Sequence, residues 1–328
     1  MILPDGQYEI TTFRTEGTYS DNRRPDSVSF VQDVRTDLAR RDFTVNAMAY
    51  SPSRGLIDPF GGQEDLSKRR IACVGRAFDR FREDALRMMR ALRFAAAYGF
   101  QIAPETADAI HQNAQRLRNI APERICVELC KLLCGSGAGE ILRQYGDVIA
   151  VIIPELQPCG TSCPSAGAVE GYTGTDRAVK LALLLHPLAE ECVERALKGL
   201  RLDAHTQKNA AQLVQHQNDA IEPDAKSIRR WLNRLGTEQF ARLVEVQRAM
   251  ARGDGERLSR LDAARDMEQE IVASGQCFSL DTLAVTGEDL LALGIPPGRE
   301  LGRSLERLLM AVIDGKLPNE RDALLKNL

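Results

Sequence analysis

At 328 residues the chain is long enough for two or more domains, each with a core of its own. Charged residues make up 27% of it, but the net charge is only −3. A global basic field is thereby excluded, and any nucleic-acid surface has to be a local concentration of Arg and Lys. No apolar run reaches the length of a membrane span, and the stretch from Met1 to Asp5 has no charged n-region leading into an apolar segment, so the chain reads as cytoplasmic with no membrane partner.

In chain order, residues 8–14 and 27–31 alternate with β-branched and aromatic side chains and predict short strands, with a polar, mobile loop at 15–25 between them. A charged helix is expected at 37–41, a mixed strand at 43–50, a turn at 51–55 and a last strand at 56–58, stopped by Pro59. So small a sheet buries too little to be stable alone. The expectation is therefore a domain whose front part is missing ahead of Met1. From Gly61 onward helical periodicity takes over, with helices expected at 63–69, 79–98, 104–118 and 122–133. Pro122 and Glu123 suit a helical first turn. Residues 153–174, rich in Pro and Gly, read as a loop between helical units. Helices follow at 176–185, 188–200, 206–218, 225–235, 237–251 and 258–274, and a final unit from Leu283 carries one more at 299–315, with no internal repeat.

Chemistry concentrates in 79–98. Ala85, Met88, Met89, Leu92 and Ala96 recur at helical spacing, while Arg87, Arg90 and Arg93 step along another face. Asp84 and Arg87 stand three apart, which places an acceptor-only carboxylate beside a donor-only guanidinium. Two readings are open. The pair is either a solvated ion pair on a helix surface, or a reader of the amine-donor and ring-nitrogen-acceptor edge that cytosine and adenine share; guanine and uracil would leave mismatched polar groups there at about 1–3 kcal/mol each. Lys68, Arg69, Arg70 and Arg76 crowd in front of this segment and, with Arg80 and Arg82 inside it, complete the local basic concentration.

The eight cysteines include Cys126, Cys130 and Cys134 at four-residue steps, but no CxxC pairs with a second CxxC or with spaced histidines, so reduced thiols are expected rather than a metal centre. Leu183 to Pro187 resembles the helix that carries a His-Asp pair in metal-dependent phosphohydrolases, yet Pro187 stands where the aspartate would be. His186 is therefore read as a helix-end residue.

Longer motifs occur in order: Glu9 to Arg14 (EITTFR), Arg23 to Val28 (RRPDSV), Asp37 to Ala47 (DLARRDFTVNA), Asp58 to Gly62 (DPFGG), Arg82 to Arg93 (REDALRMMRALR), and Gly294-x-x-Pro-Gly298 near the end. Together they resemble the bacterial CCA-adding enzymes, the class II tRNA nucleotidyltransferases related to bacterial poly(A) polymerases. The resemblance implies an α+β remnant of a nucleotidyltransferase head (1–68), followed by a mainly α-helical neck that recognises the base (69–136), a helical body (137–260) and a tRNA-binding tail (261–328). It implies addition of C, C and A to the 3′ end of tRNA from CTP and ATP without a nucleic-acid template, with contacts to the acceptor end and elbow of tRNA. Arg41 would contact the incoming nucleotide, Asp42 and Asn46 would lie around its sugar and phosphates, Asp84 and Arg87 would match its base edge, and Arg90 and Arg93 would support phosphates and stacking.

The family pattern also implies a Gly-x-Val-Arg-Asp turn and an Asp-x-Asp strand that holds two Mg²⁺ ions. Neither precedes Glu9, and no Asp-x-Asp occurs in the chain. The chain is therefore expected to be catalytically incomplete as it stands, with Glu9 as a supporting carboxylate or a solvent-facing strand residue. A poly(A) polymerase is the second reading, disfavoured by a pI near 5.9 and by the absence of a basic C-terminal extension. A CC-adding specialist is disfavoured by the retained 15–25 loop. A non-catalytic tRNA-binding remnant is the alternative from another class, and the sequence leaves oligomeric state open.

Overall fold

Asp33, Asp176 and Asp224 each stand just before a helix, and each folds its carboxylate back onto amides that would otherwise lack a partner. Asp33 accepts from the backbone N–H of Arg35 (3.2 Å) and Thr36 (3.1 Å), Asp176 from Ala178 (2.9 Å) and Val179 (3.1 Å), and Asp224 from Lys226 (3.1 Å) and Ser227 (3.0 Å). The computed structural model describes residues 2–3, 6–7, 10–17, 27–157 and 160–328, arranged in two compact units, Met1–Ala211 and Gln212–Leu328.

The first unit opens with short antiparallel pairs: β1 (Ile2–Leu3) with β2 (Gly6–Gln7), and β3 (Arg14–Glu16) with β4 (Val28–Phe30), where Arg14 faces Phe30. The strand expected at 8–14 thus pairs later than its pattern suggested: residues 10–13 are outside any strand, although Val31 N–H still donates to the Phe13 carbonyl (3.0 Å). Much of the 15–25 loop lies outside the described residues. Helix α1 (Val34–Ala39) starts ahead of the expected 37–41 because Asp33 caps it. The mixed strand expected at 43–50 is a 3₁₀ turn (Thr44–Asn46) followed by β5 (Ala49–Ser51), which pairs with β6 (Gly55–Ile57) across the expected turn. The turn wins because the Asp42 carboxylate gathers Phe43 N–H (2.9 Å) and Asn46 Nδ2 (3.1 Å), offering the backbone a local alternative to a ladder.

Helix α2 (Gly62–Ser67) stops short of the expected 69, and Arg69 turns the chain in the left-handed region (φ 50°) so that β7 (Arg70–Ile71) can begin. The buried Asp65 carboxylate ties this corner together by accepting from Thr44 Oγ1 (2.6 Å) and Arg70 Nε (2.7 Å). The single helix expected over 79–98 is two: α3 (Ala77–Glu83) and α4 (Leu86–Tyr98), separated by Asp84 in an extended conformation (φ −139°, ψ 107°). The break has a cause in the side chain, because Asp84 Oδ1 accepts Leu86 N–H (3.0 Å) and caps the second helix instead of continuing the first.

Beyond β8 (Gln101–Ile102), which runs parallel to β7, lie α5 (Pro104–Asn113), a 3₁₀ turn (Ala114–Asn119) that replaces the last part of the expected helix 104–118, and α6 (Pro122–Leu133), which keeps its expected bounds. Helices α7 (Ala138–Gln144) and α8 (Gly146–Ile152) were not foreseen, and α9 (Ala166–Glu170) lies inside the segment read as a loop. The unit continues through α10 (Arg177–Leu185) and α11 (Glu190–Gly199), and the boundary falls within α12 (Ala204–His216). His186 caps the end of α10 with Nδ1 2.9 Å from the Leu183 carbonyl, and burial pushes its pKa down. The core is the face of α4 that carries Met88, Met89, Leu92 and Ala96, packed on α6 with Leu129, Leu132 and Leu133 and on α7 with Leu142, all fully buried.

The second unit is helical: α13 (Ala225–Leu235), α14 (Thr237–Met250), α15 (Gly255–Ala273), α16 (Gly287–Ala292), α17 (Arg299–Ile313) and α18 (Arg321–Leu325). Helices α13, α14 and α15 pack together, while Leu283, Val285, Leu290, Leu308, Leu309 and Ile313 form a separate apolar cluster. Arg229 donates to the Ile313 carbonyl through Nε (3.2 Å) and Nη2 (3.0 Å), closing the last turn of α17. No helix among the described residues is long and apolar enough to cross a membrane.

In the first unit Gly135 approaches the backbone of α4 closely. A Cβ there would lie 2.5 Å from the Ala96 carbonyl carbon and 2.7 Å from its oxygen, and Gly137 N–H donates to the same oxygen (2.9 Å). Because the obstacle is backbone that cannot rotate away, Gly135→Ala is expected to destabilise this unit by about 1–3 kcal/mol in urea unfolding. A midpoint unchanged from the parent would show that the α4–α7 approach can open without cost.

Candidate functional site

The residues singled out by sequence converge where α1, the 3₁₀ turn and the α3–α4 break meet. Helix α1 ends at Ala39 with carbonyls that need partners. Two arginines from the next helices supply them: Arg80 Nη2 donates to the Ala39 carbonyl (3.0 Å) and Arg87 Nη2 to the Arg40 carbonyl (3.2 Å). Glu83 lies between them, its Oε2 accepting from Arg80 Nη1 (2.9 Å) and Arg87 Nη1 (2.6 Å). Arg80 also reaches the Val74 carbonyl through Nε (3.0 Å). This arrangement fixes both guanidinium planes, and Arg87 is only 9% exposed.

Within α1, the buried Asp37 accepts from Arg40 Nε (2.9 Å) and Nη2 (2.8 Å) and from the backbone N–H of Arg14 (3.1 Å). Burial pushes its carboxyl up, but these hydrogen bonds together with the charges of Arg40 and Arg41 hold it below the ordinary aspartate value. Arg41 is exposed, with Nη2 3.7 Å from Asp37 Oδ2 and Nη1 donating to the Asn46 carbonyl (3.2 Å). Asp42, buried, spends one oxygen on Phe43 N–H and Asn46 Nδ2 and the other on Arg90, whose Nε is 2.7 Å and Nη2 2.6 Å away. A single carboxylate therefore clamps the 3₁₀ turn to α4. Such a charge-assisted pair is stronger and more directional than an exposed ion pair.

Asp84 and Arg87 do not pair side chain to side chain. Their link is the Arg87 backbone N–H, which donates to the Asp84 carbonyl (3.1 Å). The Asp84 carboxylate instead accepts from Leu86 N–H and, through Oδ2, from Arg124 Nη2 of α6 (3.1 Å). The reading as a simple helix-surface ion pair fails on this geometry, as does the single uninterrupted helix on which the spacing argument rested. Arg93 faces Glu128 of α6, with Nε 2.7 Å from Oε2, close enough for an ion pair although the geometry is off a linear hydrogen bond. Arg124 Nη1 is buried with no hydrogen-bond partner among the described residues.

Arg41, Asp42, Asn46, Arg87 and Arg90 are thus joined through one bonded network, Asp84 and Arg93 are held from the other side by α6, and Glu9 lies outside the described residues. Sequence reading missed Glu83, Arg124 and Glu128, and placed Arg80 only in the basic concentration. Glu83 carried a signal, since it stands at helical spacing from Arg80 and Arg87. Arg124 and Glu128 carried none, because nothing local says which helix their shared face meets. No group of three His, Cys, Asp or Glu side chains that could hold a metal ion occurs among the described residues.

Chemically, the site sets an oriented carboxylate, several oriented guanidiniums and an amide-bearing turn along one helix break, an array suited to an anionic ligand with a polar planar edge. Residues 1–72 match the family model "Poly A polymerase head domain", residues 99–159 match "Probable RNA and SrmB- binding site of polymerase A", and residues 173–328 match tRNA nucleotidyltransferase domain 2. The chain is 37% identical over 320 residues to the CCA-adding enzyme of Geobacillus thermodenitrificans, covering 96% of this chain and 77% of that one. It is 39% identical over 337 residues to that of Levilactobacillus brevis, covering 99% and 80%. Among solved structures it is similar to the Bacillus stearothermophilus CCA-adding enzyme in complex with CTP, with a TM-score of 0.78 and 31% identity over 98% of this chain and 79% of that one. The Thermotoga maritima CCA-adding enzyme complexed with tRNA shares the fold, with a TM-score of 0.60 and 23% identity over 89% and 73%. With relatives this similar along nearly its whole length, the chain belongs to the CCA-adding enzyme family.

Proposed function

We propose that this protein is a tRNA nucleotidyltransferase of the CCA-adding type, a class that extends the 3′ end of tRNA in the cytoplasm, and that this chain supplies the selection of CTP and ATP by its own side chains. The observation that carries the reading is the α3–α4 break, where Asp84 is released from the helix and held by Arg124 while Arg87 is fixed by Glu83 and two carbonyls. A base edge with an amine donor beside a ring-nitrogen acceptor fits an acceptor and a donor oriented in advance, because little freedom remains to be lost on binding. Asp84 accepts from the amine and Arg87 donates to the ring nitrogen. Arg41, exposed beside the turn, meets the incoming nucleotide, and Asn46, oriented by Asp42, lies at its sugar and phosphates. Arg90 and Arg93 support the phosphates and the stacked geometry.

The reading assigns 1–68 to a nucleotidyltransferase head, 69–136 to a neck, 137–260 to a body and 261–328 to a tail that meets tRNA, with acceptor end and elbow as the contacted parts. The family chemistry uses Mg²⁺. The described residues do not compose a site for it, and Glu9 stays one candidate carboxylate for the reaction. What these residues contribute is selection and orientation of nucleotide and RNA.

Two measurements test this. In calorimetric titration the protein is expected to prefer CTP to UTP, and Asp84→Ala or Arg87→Ala to narrow that preference by about 1–3 kcal/mol, with the double variant costing less than the sum. A preference untouched by both would move base reading away from this helix break. In a second assay, incorporation of radiolabelled CTP into tRNA lacking its CCA end is expected to stay at background for this chain alone, because no Asp-x-Asp is present. Turnover at ordinary enzyme rates would place the carboxylate chemistry on residues not assigned here.

A further inference from the structure

Away from the base-reading break, a continuous series of rings and cations runs along α4 and past its end. Phe43 meets Phe94 edge-to-face (5.9 Å between centroids), Phe94 and Tyr98 lie nearly parallel (5.9 Å, 7°), and Tyr98 meets Phe100 at 5.7 Å. The Arg93 guanidinium lies 3.9 Å and that of Arg90 5.4 Å from the Phe94 centroid, and Arg69 closes the other end 5.8 Å from Phe100. All of these spacings lie within aromatic and cation–π range. The series begins at the Asp42–Arg90 clamp and ends on the surface.

Its outer end is built for contact. Tyr98 is 56% exposed although it follows a fully buried Ala96, while Phe94 and Phe100 on either side are half-buried. The parallel pairing of Arg70 with Gln101 and Ile71 with Ile102 brings Arg69 alongside, and Arg69 Nη2 donates to the Tyr98 carbonyl (3.4 Å). Arg69 holds a left-handed conformation that L side chains seldom adopt, and it is exposed. Its neighbours are neutralised, Lys68 by Glu64 and Arg70 by Asp65. No carboxylate pairs with Arg69 among the described residues.

We infer that Tyr98, flanked by Phe100 and Arg69, is a stacking shelf for an unpaired RNA nucleotide, with the base on the Tyr98 ring and the adjoining phosphate on the Arg69 guanidinium. An exposed ring beside an uncompensated cation is the arrangement that holds single-stranded nucleic acid without regard to sequence. The inference rests on the proposed tRNA function and adds a surface to it: the shelf lies along the same helix as the base-reading break and catches the single-stranded end of the RNA, not its duplex.

The test is fluorescence anisotropy with two labelled RNA minihelices, one with an unpaired 3′ extension and one blunt. The protein is expected to bind the extended RNA more tightly. Tyr98→Ala and Arg69→Gln should each weaken that binding by roughly tenfold or more, while Tyr98→Phe stays within about twofold and blunt-RNA binding does not move with any of them. Equal losses on both RNAs, or no loss with Tyr98→Ala while the parent binds the extended RNA, would overturn the shelf and leave the proposed function standing. A parent that binds neither RNA would overturn both. The Tyr98→Phe variant separates stacking from folding, since it keeps the ring and the packing.

Discussion

The Glu83 carboxylate, held between Arg80 and Arg87, is the interaction on which the site depends. Each arginine turns its other donors onto the last carbonyls of α1, so one acidic side chain sets two guanidiniums that end a helix. Removing Glu83 would take away the carboxylate that balances Arg80 and the buried Arg87, and losing one partner of a buried pair costs about 3–5 kcal/mol in comparable cases. The Asp42–Arg90 pair makes a second tie a short way along α4. Together they make α1, the 3₁₀ turn and α4 a single piece, and groups contributed by three separate stretches of chain keep fixed relative positions.

This architecture changes how the basic segment is understood. The sequence concentrates arginines and lysines from Lys68 to Arg93. In the structure most of them are spoken for: Lys68 by Glu64, Arg70 by Asp65, Arg76 by Asp79, Arg80 and Arg87 by Glu83, Arg90 by Asp42 and Arg93 by Glu128. Their first task is internal. The same device recurs in the second unit, where Arg229 closes α17 and Arg230 pairs with Asp314 at 2.7 Å. Arginine suits this work because its planar fork can serve a carbonyl and a carboxylate at once, which a lysine cannot.

Much of the fold was legible. Helices 122–133 and 225–235 carry apolar periodicity with a Pro or Asp at the start, and both form with those bounds. The motif residues from Asp37 to Asn46 and from Asp84 to Arg93 do come together. What stayed hidden has physical reasons. Asp84 breaks a helix whose periodicity runs straight through it, because capping by one carboxylate outweighs a modest propensity. Helices α7 and α8 are short and lie between glycines, so their windows are too brief to show a period. The β7–β8 ladder joins two residues to two across some thirty positions of chain, and no local pattern announces it.

Amide hydrogen exchange tests most directly whether α1, the 3₁₀ turn and α4 form one rigid piece through Glu83. In Glu83→Gln, which keeps the shape and removes the charge, the amides of Arg41, Asn46 and Ala47 bond to the carbonyls of Leu38, Phe43 and Thr44 but lose the arginines that support that segment. Their exchange is predicted to accelerate by roughly tenfold or more, with the amides of α13–α17 unchanged. Exchange at those three amides equal to the parent would contradict the account and leave Glu83 an ordinary surface partner of Arg80.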